Sequence, residues 1–315
     1  MTLIDTQSQQ KFGTSTPSTS PAHADHAVFQ HPFDVILPDQ VTLPLVLNSP
    51  HSGRDYPAAF LNTSRLDALA IRRSEDSFVD EIFERSVKLG APLLRAHFPR
   101  AYLDVNREPF ELDPSMFDGP LPAHINTTSL RVAGGLGTIA KIVSDGSEIY
   151  KGKLTFKDAS TRIETLYRPY HRRLARLLKN AFDAHKCAVL IDCHSMPSIG
   201  GSFDHDPGAD RPDIVLGDRY GTACAPVLMQ TAEQTLRSLG YKVARNNPYA
   251  GGFNTEQYGR PAHGRHALQV EIKRSLYMNE DSFERTDHLT KLREDMTTMV
   301  ASLAQIDAKF LRTPI

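Results

Sequence analysis

Ala188-Val189-Leu190-Ile191-Asp192 is the stretch on which the fold turns. Four apolar residues in a row, two of them β-branched, end at an acid and run directly into Cys193-His194-Ser195. So short and unbroken an apolar run predicts a strand buried on both faces, as in parallel sheets covered by helices. Upstream, Pro44-Leu45-Val46-Leu47-Asn48-Ser49-Pro50 has the same character and ends in the turn Pro50-His51-Ser52-Gly53. Further β-like pieces lie at 93–96, at 101–105 ending in Asn106-Arg107, at 213–217, and at 266–272, which carries Glu271 between Val270 and Ile272. Helical spacing of apolar residues marks 66–89, a basic amphipathic stretch at 162–184, and the segments 223–239 and 281–309. Strands alternating with helices predict an α/β fold: a single three-layer domain, mostly parallel or mixed sheet, with helices on both faces.

Residues 108–160 and the Gly-rich stretch 246–264 read as long connections. Residues 1–27, polar and rich in Ser, Thr and Gln, read as a disordered tail, leaving 28–315 as the one folded domain. The tail lacks the apolar core of a secretory signal. The 315 residues carry 36 Lys+Arg against 37 Asp+Glu, a formal charge of −1, which argues against a nucleic-acid partner. No apolar run approaches the ~18 residues that a membrane span needs. Cys187, Cys193 and Cys224 are too few, and odd in number, for a disulfide framework, so the expected compartment is the cytoplasm.

In open α/β sheets, ligands bind beyond the carboxyl ends of the strands. Three apolar runs here end in a functional group, namely His51, Asn106-Arg107 and His194, and the last strand holds Glu271. Two imidazoles and a carboxylate make the usual ligand set of a catalytic zinc. A further Glu outside the metal shell would serve as general base, and an arginine fork suits an anionic substrate group. That set predicts metal-assisted hydrolysis of an amide or ester in a small acidic substrate. The chain has no His-Glu-x-x-His, no phosphate-binding loop and no Gly-x-Ser-x-Gly elbow. Gly134-Gly135-Leu136-Gly137 opens no helix after a strand and so predicts no nucleotide site. Cys193 alternates with His194 and should face away from it, a structural thiol and no nucleophile.

Five motifs in order, Ser49-Pro50-His51-Ser52-Gly53, Asp104-Val105-Asn106-Arg107, Asp192-Cys193-His194-Ser195, Asn247-Pro248-Tyr249-Ala250-Gly251-Gly252 and Gln269-Val270-Glu271-Ile272, resemble the N-formylglutamate amidohydrolase family. That family is itself distantly similar to zinc carboxypeptidases and aspartoacylase-type deacylases. The resemblance implies one zinc ion, with another divalent transition metal as the substitute, held by His51 and His194. Carboxypeptidases take their next ligand from His-x-x-Glu, but Arg54 occupies that place here. The third ligand is therefore assigned to Asp76, with Glu75 and Asp55 as alternatives. The resemblance also implies Glu271 as general base and Asn106 with Arg107 as the grip on a substrate carboxylate. Arg54 becomes a candidate oxyanion donor, Lys141 and Arg219 candidate anchors for a second carboxylate, His171 a pocket residue, and Tyr249 a cover on a mobile loop. The implied reaction is cleavage of N-formyl-L-glutamate to formate and L-glutamate in histidine breakdown. The rivals are a related deacylase or peptidase acting on another N-acyl amino acid or a γ-glutamyl peptide, and a non-catalytic anion-binding member of the fold.

Overall fold

The computed structural model of the chain describes residues 29–202, 204 and 206–312, so the expected tail at 1–27 lies outside the described residues. Its strands are β1 (Phe33–Ile36), β2 (Leu45–Ser49), β3 (Leu93–Ala96), β4 (Ala188–Met196), β5 (Ile214–Gly217), β6 (Val243–Arg245) and β7 (Arg265–Lys273). They form one seven-stranded sheet in the order β1-β3-β2-β4-β7-β5-β6. The central strands β3, β2, β4 and β7 are parallel, whereas β1 is antiparallel to β3 and β5 is antiparallel to β7. The sheet is therefore mixed, with reversed strands on both flanks of a parallel centre.

The helices are α1 (Ala58–Thr63), α2 (Val79–Glu84), α3 (Leu130–Ala133), α4 (Phe156–Arg162), α5 (Arg168–His185), α6 (Pro226–Ser238), α7 (Phe253–Tyr258) and α8 (His288–Ala304). Every residue of β4 is buried, because both faces are covered. On one face Leu45, Leu47, Val189, Ile191, Cys193, Leu268 and Val270 pack with side chains of α2, α6 and α8. On the other, Val46, Ala188, Leu190 and Ala267 pack with α1, α4 and α5. This alternation sends Cys193 into the first core, where burial pushes its thiol well above the usual range.

Four local expectations need correction. The single helix predicted over 66–89 is broken into a 3-10 turn at Ala70–Ser74, an extended stretch through Glu75, then α2 and a second 3-10 turn at Arg85–Leu89. The break arises because the Asp76 N–H donates to the His51 carbonyl (3.0 Å) and the Ser77 hydroxyl to Glu75 (2.6 Å), so this chain bonds to the His51 turn in place of its own helix. Phe78 takes up the turn at φ 66, a left-handed conformation costing a side chain about 1–2 kcal/mol. Burial of its ring, worth about 2 kcal/mol, offsets that cost. Residues 101–105 form a buried turn, not a strand, with the Tyr102 N–H on the Pro99 carbonyl and the Asp104 N–H on that of Thr138. The stretch 246–264 is not all loop, since it contains α7. The basic helix begins earlier than expected, at Phe156, and passes through a π turn at Ile163–Tyr167 into α5. Pro169 lacks the N–H that an α turn requires there.

Candidate metal centre

Along the face occupied by Val46, Leu190 and Ala267, the sheet changes character at one level. The next residues on that face are Asn48 of β2, Asp192 and His194 of β4, and Gln269 and Glu271 of β7. Register brings them together: Asn48 pairs with Asp192, Asp192 with Gln269, and His194 with Glu271. His194 and Glu271 are thus neighbours within the strands: Glu271 lies inside its strand as expected, whereas His194 lies within β4 and not beyond its end. His51 arrives from the turn after β2, and Asp76 from the broken helix.

His51, Asp76 and His194 are the group of described residues that can share one metal ion, with ligand atoms all within 4.8 Å of one another and all three side chains buried. Asp76 Oδ2 lies 3.4 Å from His51 Nδ1 and 3.1 Å from His194 Nδ1. Each ring is fixed from behind at its other nitrogen: His51 Nε2 meets Asp104 Oδ1 at 2.7 Å, and His194 Nε2 meets Asp192 Oδ2 at 2.9 Å. Carboxylates only accept, so both rings donate from Nε2 and turn Nδ1 to Asp76. His51 Nδ1 is buried without a hydrogen-bond partner among the described residues. A lone pair so placed, beside a carboxylate and a second imidazole, fits a divalent cation and satisfies the coordination chemistry of zinc.

The surrounding charges hold this set in place. Arg274 donates from Nη2 to Asp76 Oδ1 (3.1 Å), and the Ser195 hydroxyl donates to the same oxygen (3.3 Å). Burial acts to raise the Asp76 carboxyl, yet His194 and His51 outweigh it and hold the group well below the usual range. Burial pulls the His194 imidazole down, but Asp192 and Asp76 carry it well above its ordinary value. Asp104 also stays low against its burial, through Arg107, His51 and Arg100. Behind Asp192, Asn48 donates to Oδ1 (2.7 Å), and Tyr170 of α5 donates to Asn48 (2.6 Å).

Glu271 differs from these acids. Its Oε1 accepts from Gln269 Nε2 at 2.8 Å, and burial pushes its carboxyl up to about 8. Gln269 is held in turn by the Gly252 N–H, which donates to its Oε1 at 2.7 Å. Asn106 Nδ2 lies 3.2 Å from His194 Nε2, while its Oδ1 accepts from the Asn254 N–H at 2.8 Å. Arg107 donates from Nε to the Leu136 carbonyl (2.9 Å), with Asp104 Oδ2 3.7 Å from the same atom, and from Nη1 to the Asn106 carbonyl (2.9 Å), which leaves Nη2 without an acceptor among the described residues.

The other sequence-derived candidates each have protein partners of their own. Arg54 is exposed and pairs with Glu81 (3.1 Å) and Asp80 (3.4 Å); the guanidinium on the cluster belongs to Arg274. Lys141 pairs with Asp113 at 3.6 Å, and Arg219 with Glu256 at 2.7 Å, so each already faces a carboxylate. His171 is a strut: Nε2 donates to the Val105 carbonyl (2.9 Å), Nδ1 accepts from the Tyr258 hydroxyl (2.8 Å), and burial brings the ring down to about 4. The Tyr249 hydroxyl accepts from Arg211 (3.0 Å) and is raised by burial and by nearby Glu271. Of the alternative ligands, Glu75 is spent on Arg72, Tyr56 and Ser77, and Asp55 is exposed. Sequence reasoning missed Asp104, Asp192 and Arg274. Asp192 had a signal, since it stands two residues before His194 in a strand and so shares its face; Arg274 had none.

The chain is similar to several known proteins. The family model for N-formylglutamate amidohydrolase matches residues 43–278. The N-formylglutamate deformylase of Pseudomonas putida is 28% identical over 245 residues, which cover 76% of this chain and 84% of that protein. The crystal structure of N-formylglutamate amidohydrolase from Ralstonia eutropha JMP134 superposes with a TM-score of 0.79 at 37% identity, covering 89% of this chain and 98% of that one. A gene product of Agrobacterium tumefaciens shares the fold at 17% identity and a TM-score of 0.62, covering 86% and 94% of the two chains.

Proposed function

The chain belongs to the N-formylglutamate amidohydrolase family, and we propose that it hydrolyses N-formyl-L-glutamate to formate and L-glutamate with one zinc ion held by His51, Asp76 and His194. The observation that carries the metal is the buried, partnerless Nδ1 of His51 aimed at Asp76 and His194. Such an ion supplies Lewis acidity, polarising the formyl oxygen and making water a stronger acid.

The rest of the chemistry is the chain's own. Gln269 holds Oε1 of Glu271 and leaves Oε2 without a hydrogen-bond partner among the described residues, so this oxygen is the proton acceptor. Glu271 takes the proton of the attacking water as the new C–O bond forms at the formyl carbon. It returns that proton to the glutamate nitrogen as the C–N bond breaks, so the products are formic acid and a free amine. The level near 8 that burial imposes on this carboxyl suits a group that must both take and release a proton near neutrality. Arg107, through Nη2, receives a carboxylate of the substrate, and Asp104, Asp192 and Arg274 hold the ligand side chains in orientation. As in the family's implied role, the reaction belongs to histidine breakdown in the cytoplasm.

Formate release from N-formyl-L-glutamate tests the reading, with N-acetylglutamate and a γ-glutamyl peptide as controls. Glu271→Gln should lower turnover by roughly 10³-fold or more while metal content stays at one ion per chain. A metal-replete wild type that releases no formate, or a Glu271→Gln variant as active as wild type, would overturn it.

A further inference from the structure

The proposed substrate has two carboxylates, and Arg107 alone offers one free donor edge. We infer that Arg131, at the start of the Gly-rich turn 131–137, is the specificity-determining residue that receives the side-chain carboxylate of an N-acyl dicarboxylic amino acid. The proposal rests on the reading of the site given above and names the part of it that selects the substrate class.

Arg131 lies in α3 and is half-buried, yet no carboxylate among the described residues pairs with it. Its place beside Arg107 is built by the turn: the Leu136 N–H donates to the Arg131 carbonyl (2.8 Å), and the Leu136 carbonyl accepts from Arg107 Nε (2.9 Å). The glycines that the sequence singled out make this turn. Gly135 sits at φ 72, and a Cβ on Gly137 would stand 2.3 Å from the Glu111 carbonyl oxygen. Leu136 thereby joins the Arg131 backbone to the Arg107 guanidinium, and Arg131 acts on Arg107 as a nearby like charge. Burial first, with Arg131 and Arg100 beside it, brings Arg107 down to about 10 against the opposing pull of Asp104. Arg100 is neutralised by Asp104 at 2.8 Å; Arg131 has no such partner.

Like charges held close are unfavourable alone and favourable around a dianion. The links each arginine makes to the rest of the site assign the two carboxylates. Arg107 is bonded to Asn106, which touches His194, so it stands nearer the cluster and takes the α-carboxylate, one carbon from the scissile nitrogen. Arg131, joined to Arg107 through Leu136, takes the side-chain carboxylate, whose carbon lies three bonds from the α-carbon.

The test compares kcat/KM on N-formylglutamate with that on N-formylglutamine, which lacks only the outer charge. In Arg131→Gln the preference for N-formylglutamate should fall by about 10- to 100-fold, the size of a lost charge-assisted hydrogen bond. Arg131→Lys should restore part of the preference, which separates the effect from a folding defect. An unchanged preference ratio in Arg131→Gln overturns the proposal. Thermal shift of the metal-loaded protein keeps the two readings apart: glutarate should raise the unfolding midpoint more than butyrate in wild type and equally in Arg131→Gln. That outcome without formate release would remove the proposed reaction and leave the cradle standing; equal shifts in wild type would remove the cradle alone.

Discussion

Asp104→Asn isolates the carboxylate behind His51 at almost constant volume. Asp104 Oδ1 accepts from His51 Nε2 (2.7 Å) and from the Asn106 N–H (2.8 Å), while Oδ2 accepts from Arg100 Nη2 (2.8 Å). An asparagine must present its NH₂ to one of these sets. Turned toward His51, it would meet a ring N–H and a backbone N–H, neither able to move. Turned toward Arg100, it meets a side chain one-fifth exposed, which can swing into water. The second orientation wins, and His51 keeps a neutral hydrogen bond where it had a charge-assisted one. Charge-assisted bonds are roughly twice as strong as neutral ones, so the imidazole becomes a weaker ligand by about 1 kcal/mol. Loss of the counter-charge beside Arg107 adds to this. The expected fall in zinc affinity is therefore about 10- to 100-fold, equivalent to about 1.4–2.7 kcal/mol. Titration of the metal-free protein against a chromophoric zinc chelator measures it, and Asp192→Asn should act likewise through His194. A zinc affinity within about twofold of wild type, in a variant with unaltered circular dichroism, would refute the view that Asp104 orients this ring.

Two further perturbations bear on the same region. A Cβ on Gly252 would lie 2.5–2.8 Å from the side-chain amide of Asn106, so Gly252→Ala should push Asn106 aside and lower kcat/KM by roughly 100-fold with little change in zinc affinity; unchanged kinetics would mean that Asn106 does not position substrate. Glu271 stands near 8 in the folded chain against 4.5 unfolded, so the folded state binds more protons between those values, and metal-free stability must fall as pH rises through that window. His194, also raised, adds a term of the same sign. Melting in a chelator from pH 5 to pH 8.5 should give a declining midpoint that is flatter in Glu271→Gln, and parallel curves would contradict the assigned burial effect.

The strands were the legible part of the chain. Two-sided burial leaves unbroken apolar runs such as 45–47 and 188–191, and these appear as β2 and β4. The edge strand β6 was not legible, because its three residues carry no period. The break at Asp76 was hidden for a different reason. The apolar spacing of 66–89 is helical, and only the remote carbonyl of His51, which bonds the Asp76 N–H, overrides it. His51, His194 and Glu271 could be singled out from their places at or near strand ends. The partners that orient them could not, since Asp104 reaches the cluster from an irregular turn and Arg274 from a short 3-10 turn after β7, neither with a local pattern. Charged residues such as Lys141 and Arg219 look like anchors in a sequence, yet a sequence does not show the Asp113 and Glu256 that face them.

One face of the sheet passes within a single step from Val46, Leu190 and Ala267 to Asn48, Asp192, Gln269 and Glu271, all buried. Aliphatic side chains at those four positions would fold more readily than amides and acids that must each find a partner in the dark of the core. The middle of the sheet is thus where selection for a sturdier protein and selection for a working one pull in opposite directions. Consensus or thermostability design that scores only folding would erase the site first at its floor, and the four positions have to be held fixed in any such effort.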